Sequence, residues 1–427
     1  MSKNFQAVRG MNDILPEQMS YWEFIEEKLI QLTKQYHYQQ IRFPILEKTA
    51  LFSRSIGDVT DIVEKEMYIF EDRNGDSLAL RPEGTAGCVR ACIQHGLINR
   101  NTQKLWYIGP MFRHERPQKG RYRQFYQFGL EAYGFSGAEI DAEMILFGER
   151  LWKVLGLSQS IQLQINTLGS NQARIAYKKV LVEYYQAHYA CLDEDSQRRL
   201  QSNPLRILDS KNPEMIVLNK NAPKLIDYLD AESRQHFEKL TGLLDACGIE
   251  YVINPCLVRG LDYYCKTVFE WVTDTLGAQG TVCAGGHYDA LVEQLGGASV
   301  PAIGFAMGFE RIIAMLIDAK IEIPSATLDV FFVCLNEKYY AKALALCEII
   351  RADNLNCYLY PSSGSLKSQM KKADKSKAQL ALILGEEEYN NDKLTVKYLR
   401  HNDMQQLNIA QNEIMTFLQE YKRSYHV

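Results

Sequence analysis

Apolar residues recur at three- and four-residue intervals through residues 13–36, where Trp22, Ile25, Leu29, Leu32 and Tyr36 form one stripe. That spacing predicts a long amphipathic helix. Pro16 suits its first turn, where a missing N–H costs no intrahelical bond. The pattern then turns strand-like over IRFPILEKTALF, residues 41–52, with Pro44 implying an edge or a bulge because its nitrogen cannot join a ladder. Asp72-Arg73-Asn74-Gly75-Asp76 is a turn signal between strands ending at Phe70 and beginning at Ser77. The second strand runs into RPEGT and a helix over 86–95, for which Thr85 is the expected N-cap.

Two further strands, 105–115 and 122–133, are joined by the basic loop ERPQKGRYR. Side chains alternate between the two faces of a strand. Tyr126, Phe128, Leu130 and Ala132 therefore share a core face. Phe125, Gln127, Gly129, Glu131 and Tyr133 share the other, and Arg113 and Glu115 share a parity on the partner strand. An amphipathic hairpin with a solvated loop accounts for each residue singly. It fits the set badly, because an aromatic ring, an amide, carboxylates and an arginine among bulky apolar residues describe a polar pocket on a buried sheet, and buried charges need partners. Gly129 inside the strand is read as a place where a ligand comes close.

A helical pattern returns at 140–155 and dominates a polar stretch from about 171 to 247, broken by NPLRILDSKNP. LVRGLDYYCKTVFEW then leads through GAQG to TVCAGGHYD, and GFAMGFERIIAML at 304–316 reads as a strand turning into a helix. Arg259 beside a glycine and two tyrosines suits an anion site, and Gly285-Gly286 permits close backbone approach to a ligand. Arg311 in the first turn of its helix opposes the helix dipole, which makes sense if an anion sits beyond the helix end. After Pro324 and Ser325, strands and helices alternate: strands at 328–335, 356–360, 379–385 and 393–399, helices at 339–352 and 365–378, and a final helix. This predicts a separate α/β domain with a mainly parallel sheet, whose second helix carries Lys367, Lys371, Lys372, Lys375 and Lys377.

Composition narrows the class. The 427 residues hold 46% hydrophobic and 23% charged residues, as an ordinary globular chain of two or three domains does. Forty-eight basic against 52 acidic residues give a net charge of −4, which argues against a general nucleic-acid coat but not against a local basic patch. The start MSKNFQAVRGMND lacks the apolar core of a signal peptide, and no apolar run approaches the ~20 residues of a membrane span. The ten cysteines form no CxxC pair and no zinc-like spacing with histidine, so the chain reads as cytoplasmic and reduced. The chain has no Walker A loop and no G-x-G-x-x-G.

FRHERPQKGRYRQF resembles motif 2 of the class II aminoacyl-tRNA synthetases, residues 304–316 resemble their motif 3, and the helix and strand around Pro44 resemble the weaker motif 1. LRPEGT at 80–85, LVRGLDYYCKTVFEW at 257–271 and AGGHYDALVEQLGG at 284–297 resemble segments particular to the histidyl-tRNA synthetases, bacterial type. The family usually shows Arg at the place of His287 and Gly at that of Ala290, and no role is assigned to His287.

The resemblance implies an α/β and α+β multidomain chain. Its parts are a catalytic core with an antiparallel sheet flanked by helices (1–170 and 251–323), a helical insertion (171–250) and a C-terminal α/β anticodon-binding domain (324–427). It implies histidine, ATP, Mg²⁺ and tRNA(His) as ligands, and a homodimer formed through motif 1. By the same resemblance Arg113 and Arg259 hold the α-phosphate as the catalytic pair, and Arg121 and Arg311 hold the γ-phosphate. Phe125 stacks on adenine with Glu115 near the ring. Glu131 and Tyr264 read the imidazole, with Tyr263 and Arg259 also in the histidine site. Glu83, Thr85 and Gln127 read the amine, and no residue is assigned as a metal ligand. A regulatory, binding-only relative on this scaffold lacks the C-terminal domain and degrades the 259–264 motif; a synthetase-like RNA sensor belongs to a larger kinase, for which this chain has no motifs.

Overall fold

The computed structural model describes residues 5–56, 62–99, 101–259, 263–277, 280–324, 328–361, 364–401 and 403–425. Gly260, Leu261 and Asp262, Ala278 and Gln279 of the GAQG turn, and Ser325 lie outside them. The chain divides into two units, Met1–Ile323 and Pro324–Val427.

In the first unit, helix α1 (Pro16–Gln35) starts at Pro16, three residues inside the expected span, and buries Trp22, Ile25, Leu29 and Leu32. Burying each such side chain is worth roughly 1.5–3 kcal/mol. After β1 (Gln39–Gln40), only β2 (Leu46–Lys48) forms where the sequence pattern predicts a strand to residue 52. Residues 49–52 instead open helix α2 (Thr49–Ile56), which turns Phe52 and Ser55 inward, and Pro44 precedes the strand rather than interrupting it. Strands β3 (Tyr68–Glu71) and β4 (Ser77–Leu80) pair antiparallel across the Asp72–Asp76 turn and join β2 in a small sheet ordered β2-β4-β3. Helix α3 (Thr85–Gln94) follows.

The main sheet is built from β1, β5 (Gln103–Phe112), β6 (Gln124–Tyr133), β7 (Gln162–Thr167), β8 (Val252–Ile253), β9 (Cys265–Val272), β10 (Thr281–His287) and β11 (Ala302–Gly308). Its order is β1-β5-β6-β11-β10-β9-β7-β8, antiparallel except at the two outer pairs. Helix α4 (Ala138–Leu155) leads into β7. Helices α5 (Asn171–Ala187), α6 (Glu194–Ser202), α7 (Pro213–Lys220) and α8 (Ala231–Ala246) lie between β7 and β8. Helix α9 (Ala290–Gln294) follows β10, and α10 (Phe309–Asp318) continues β11. On one face of the sheet Phe128, Leu130 and Ala132 pack with α1, α4, α8 and α10. The opposite face carries Phe125, Tyr133 and Tyr264 in a second core, which is the alternation read from the sequence of β6.

The second unit has its own core. Strands β12 (Val330–Cys334), β13 (Cys357–Leu359), β14 (Leu380–Leu384), β15 (Lys393–Tyr398) and β16 (Leu407–Ala410) form a sheet ordered β13-β12-β14-β15-β16. Helices α11 (Tyr340–Ala352), α12 (Leu366–Lys375), α13 (Glu386–Asn390) and α14 (Ile414–Tyr425) complete it. The sheet is less parallel than the alternation predicts: β12 pairs parallel with β13 and β14, but β15 and β16 are added antiparallel. A short link through α13, too brief to cross the sheet as a right-handed βαβ connection, can only return the chain antiparallel.

Candidate active site

The two long strands β5 and β6 end beside a cavity of about 380 Å³ in the first unit. Arg113 and Glu115 lie past the end of β5, in the loop with Arg121, rather than within the strand that the sequence pattern extends to residue 115. Arg113 donates from Nε to the Pro82 carbonyl at 2.8 Å and stands 5.4 Å from the Phe125 ring. Glu115 is buried, paired with Arg121 and 3.8 Å from Arg113 Nη1. Arg311, third residue of α10, reaches in from the far side and bonds the Gly120 and Thr281 carbonyls. Arg259 is paired with Glu270 of β9 and lies over the Tyr264 ring; Thr281 donates to the second oxygen of Glu270 at 3.0 Å.

The electrostatics are those of cations held too close together. Burial, and then the neighbouring Arg113 and Arg121, push Arg311 down to about 10. Arg113 is likewise lowered by burial and by Arg259. Arg259 is shifted the other way, because Tyr264 and Glu270 outweigh its burial. A polyanion in the cavity would relieve the crowding. Among the described residues, Arg259 Nε and Gln127 Oε1 are buried without a hydrogen-bond partner, a donor and an acceptor on the wall of one cavity. Buried unpaired polar atoms are rare and call for a ligand or water.

Glu83 and Thr85 occupy the same wall with exchanged roles. The expected cap, Thr85, is not the cap: Gly84 is the N-cap, and the Glu83 carboxylate accepts from the Thr85 and Ala86 N–H groups at 2.6 and 3.0 Å. A carboxylate there also complements the helix dipole. Burial raises Glu83 against these two bonds. Thr85 is thereby released to donate to Glu131 at 2.9 Å.

Glu131 is fully buried and lies beneath the cavity wall rather than on it. Three hydroxyls converge on it: Thr85 and Tyr107 on Oε1, the latter at 3.0 Å, and Tyr288 on Oε2. Burial pushes its carboxyl up to about 8, opposed by those hydroxyls. The glycines around it serve the protein's own groups. A Cβ at Gly129 would overlap the Tyr107 ring and one at Gly304 would overlap the Glu131 carboxylate, so Gly129 makes room for a phenol and not for a ligand. Gly285 and Gly286 likewise admit the backbones of β11 and β9.

The cavity thus brings together Glu83, Thr85, Arg113, Glu115, Arg121, Phe125, Gln127, Arg259, Tyr263, Tyr264 and Arg311; of the sequence-derived residues only Glu131 stands behind the wall. Sequence reasoning missed Tyr107, Tyr288, Glu270 and Glu310. Glu310 accepts from the Tyr126 N–H at 2.9 Å and is pushed up to about 7 by burial. Register alone carried a signal for Tyr107, which pairs directly with Gly129; nothing local marked the others.

An antiparallel sheet with arginines projecting into one cavity, from the loop after β5 and from the helix after β11, agrees with the class II synthetase core that the motifs resemble. The model of one family, histidyl-tRNA synthetase, matches residues 10–312, and that of an anticodon binding domain matches residues 329–421. The histidine–tRNA ligase of Legionella pneumophila (strain Lens) is 56% identical over 419 residues, covering 97% of this chain and 98% of that protein. That of Hydrogenovibrio crunogenus is 56% identical over 424 residues, 98% of each. The apo structure of the S. aureus histidyl-tRNA synthetase superposes with a TM-score of 0.82 at 34% identity, covering 97% of this chain and all of that one. The chain belongs to the histidyl-tRNA synthetase family, with the activity of a histidine–tRNA ligase. Among the described residues no helix is long and apolar enough to cross a membrane.

Proposed function

We propose that this cavity joins histidine to ATP in the first of two steps. The histidine carboxylate attacks the α-phosphorus, the bond to the bridging oxygen breaks, and pyrophosphate leaves. In the second step a terminal ribose hydroxyl of tRNA(His) attacks the carbonyl of histidyl-adenylate and AMP leaves. Two anions meet in the first step, so its transition state needs cations already in place. The convergence of Arg113, Arg121, Arg259 and Arg311 on one cavity carries this reading.

Arg113 and Arg259 hold the α-phosphate, while Arg121 and Arg311 hold the γ-phosphate. Phe125 stacks on adenine, with Glu115 near the ring. Gln127 Oε1, Glu83 and the Thr85 hydroxyl accept from the amine of histidine, and Tyr263 lines the histidine site. Enzymes of this family use ATP with a divalent cation, which when bound would neutralise phosphate charge; Glu115 and Glu270 on the cavity wall have oxygens of the kind Mg²⁺ takes but are held here by Arg121 and Arg259. The C-terminal unit takes the anticodon arm, its α12 lysines meeting RNA phosphates. The protein works in the cytoplasm. Histidine-dependent exchange of pyrophosphate into ATP tests the reading; exchange with another amino acid and none with histidine would overturn it.

Glu131 and Tyr264 read the imidazole. Glu131 is an acceptor when ionised, so it obliges the ring to present a donor, and a ring N–H is the further donor that favours its ionised form. Glu131→Gln keeps the shape but turns an amide toward the hydroxyls. The histidine KM should rise at least about tenfold while the ATP KM stays within about twofold, because a site built to hydrogen-bond its substrate loses most when its polar atoms mismatch. A lowered melting temperature with an unchanged histidine KM would make Glu131 a structural carboxylate only.

The protein is a homodimer in this reading. Leu46 and Phe70 are exposed on one face of the small sheet, an apolar surface of the kind a second copy covers. Sedimentation at micromolar concentration should give the dimer mass; a monomer would refute it.

A further inference from the structure

His287, at the end of β10, is fully buried with both ring nitrogens engaged. Nε2 is 2.6 Å from Asp141 Oδ1 of α4, and Nδ1 is 3.0 Å from Asp289 Oδ1. A carboxylate only accepts, so both nitrogens carry protons and the ring is an imidazolium. The other oxygen of Asp141 faces His236 Nε2 of α8 at 2.8 Å. Asp289 also accepts from Lys266 at 2.8 Å and from the Ala302 N–H at 3.0 Å. Lys266 sits at positive φ, 45°, where the pairing of β9 with β10 slips register; a bulge of this kind re-aims side chains.

Asp141, His236 and His287 lie close enough to hold a metal ion. Their spacing argues otherwise. Donor atoms around a tetrahedral zinc stand roughly 3.2 Å apart, whereas the Asp141 oxygens stand 2.8 and 2.6 Å from His236 and His287, at hydrogen-bond distance. With His287 charged, two carboxylates are also balanced by one imidazolium and one lysine.

Tyr288 stands between His287 and Asp289 in the chain; its N–H bonds the Ala302 carbonyl at 2.8 Å and its hydroxyl donates to Glu131. We propose that His287, clamped between Asp141 and Asp289, is a positioning residue for the histidine site. It fixes the end of β10 so that the Tyr288 hydroxyl holds Glu131, and Asp141 with His236 ties that register to α4 and α8. The proposal rests on the assignment of Glu131 to the imidazole.

The test is histidine-dependent pyrophosphate exchange by the full-length protein, with both KM values and melting temperature measured on one preparation. His287→Gln should raise the histidine KM about tenfold, the scale of a lost hydrogen bond to a charged group, and leave the ATP KM within about twofold. His287→Arg restores a cation with donors for two carboxylates and should recover most of the loss. Tyr288→Phe should match His287→Gln, and the double variant should be no worse than either, as for residues acting through one route. A His287→Gln protein with a lower melting temperature and an unchanged histidine KM would overturn the proposal, as would equal rises in both KM values or stoichiometric zinc in the purified protein. Should Glu131→Gln raise the histidine KM while His287→Gln does not, the clamp fails alone. Should neither raise it, the assignment of Glu131 fails as well.

Discussion

Arg259→Ala should lower the rate of histidyl-adenylate formation by about 10²- to 10³-fold, the effect of removing one preorganised charge contact worth some 3–4 kcal/mol from a transition state, while the ATP KM changes far less. In the proposed reading ground-state ATP has other cations, since Arg113, Arg121 and Arg311 line the same cavity. What Arg259 adds is a guanidinium anchored by Glu270 and Tyr264 with Nε still unpaired. The substitution also strips Glu270 of its partner, and an uncompensated, largely buried carboxylate is destabilising. Melting temperature is therefore measured beside the rate. Arg259→Lys separates the two effects: it returns a charge near Glu270 but not a planar fork for a phosphate, so it should recover stability more than rate. Exchange at the wild-type rate in Arg259→Ala would remove the residue from the mechanism.

How much of this was legible beforehand follows from the range of each interaction. The strand period of two assigned Phe125 and Gln127 to one face and Phe128 and Leu130 to the other, because alternation is a local property of backbone geometry. The long spacing of Trp22, Ile25, Leu29 and Leu32 announced α1 for the same reason. Over residues 49–52 four side chains cannot distinguish a strand's end from a helix's first turn, and the inward turn of Phe52 decides. Thr85 was the expected cap because a short hydroxyl residue at a helix start usually is; the longer Glu83 side chain reaches back to two N–H groups instead. Of the other hydroxyls around Glu131, Tyr107 has only its register opposite Gly129 to mark it, and Tyr288 comes from 157 residues away. The same holds for His287, whose partner Asp141 is 146 residues distant.

Removing residues 324–427 should leave histidine-dependent pyrophosphate exchange within about threefold of wild type and lower the kcat/KM for tRNA charging by about 10²-fold or more, the scale on which a second linked binding module strengthens an interaction. The two activities separate because the cores do. Among the described residues, the apolar clusters of the main sheet draw on residues before Pro324, and those of the C-terminal unit on residues from Leu328 onward. Every arginine assigned to ATP lies in the first unit. The second unit folds around a core of its own. It has the α12 lysines, with Lys372 seated over the Tyr360 ring, and phosphate contacts of that kind add affinity that weakens steeply with salt. Charging by the intact chain should therefore lose efficiency as salt rises, while charging by the truncated chain, already weak, should respond less. A melting temperature taken on the truncated protein guards against misfolding. Parallel loss of exchange and charging in a protein that still melts cooperatively would contradict this division of labour.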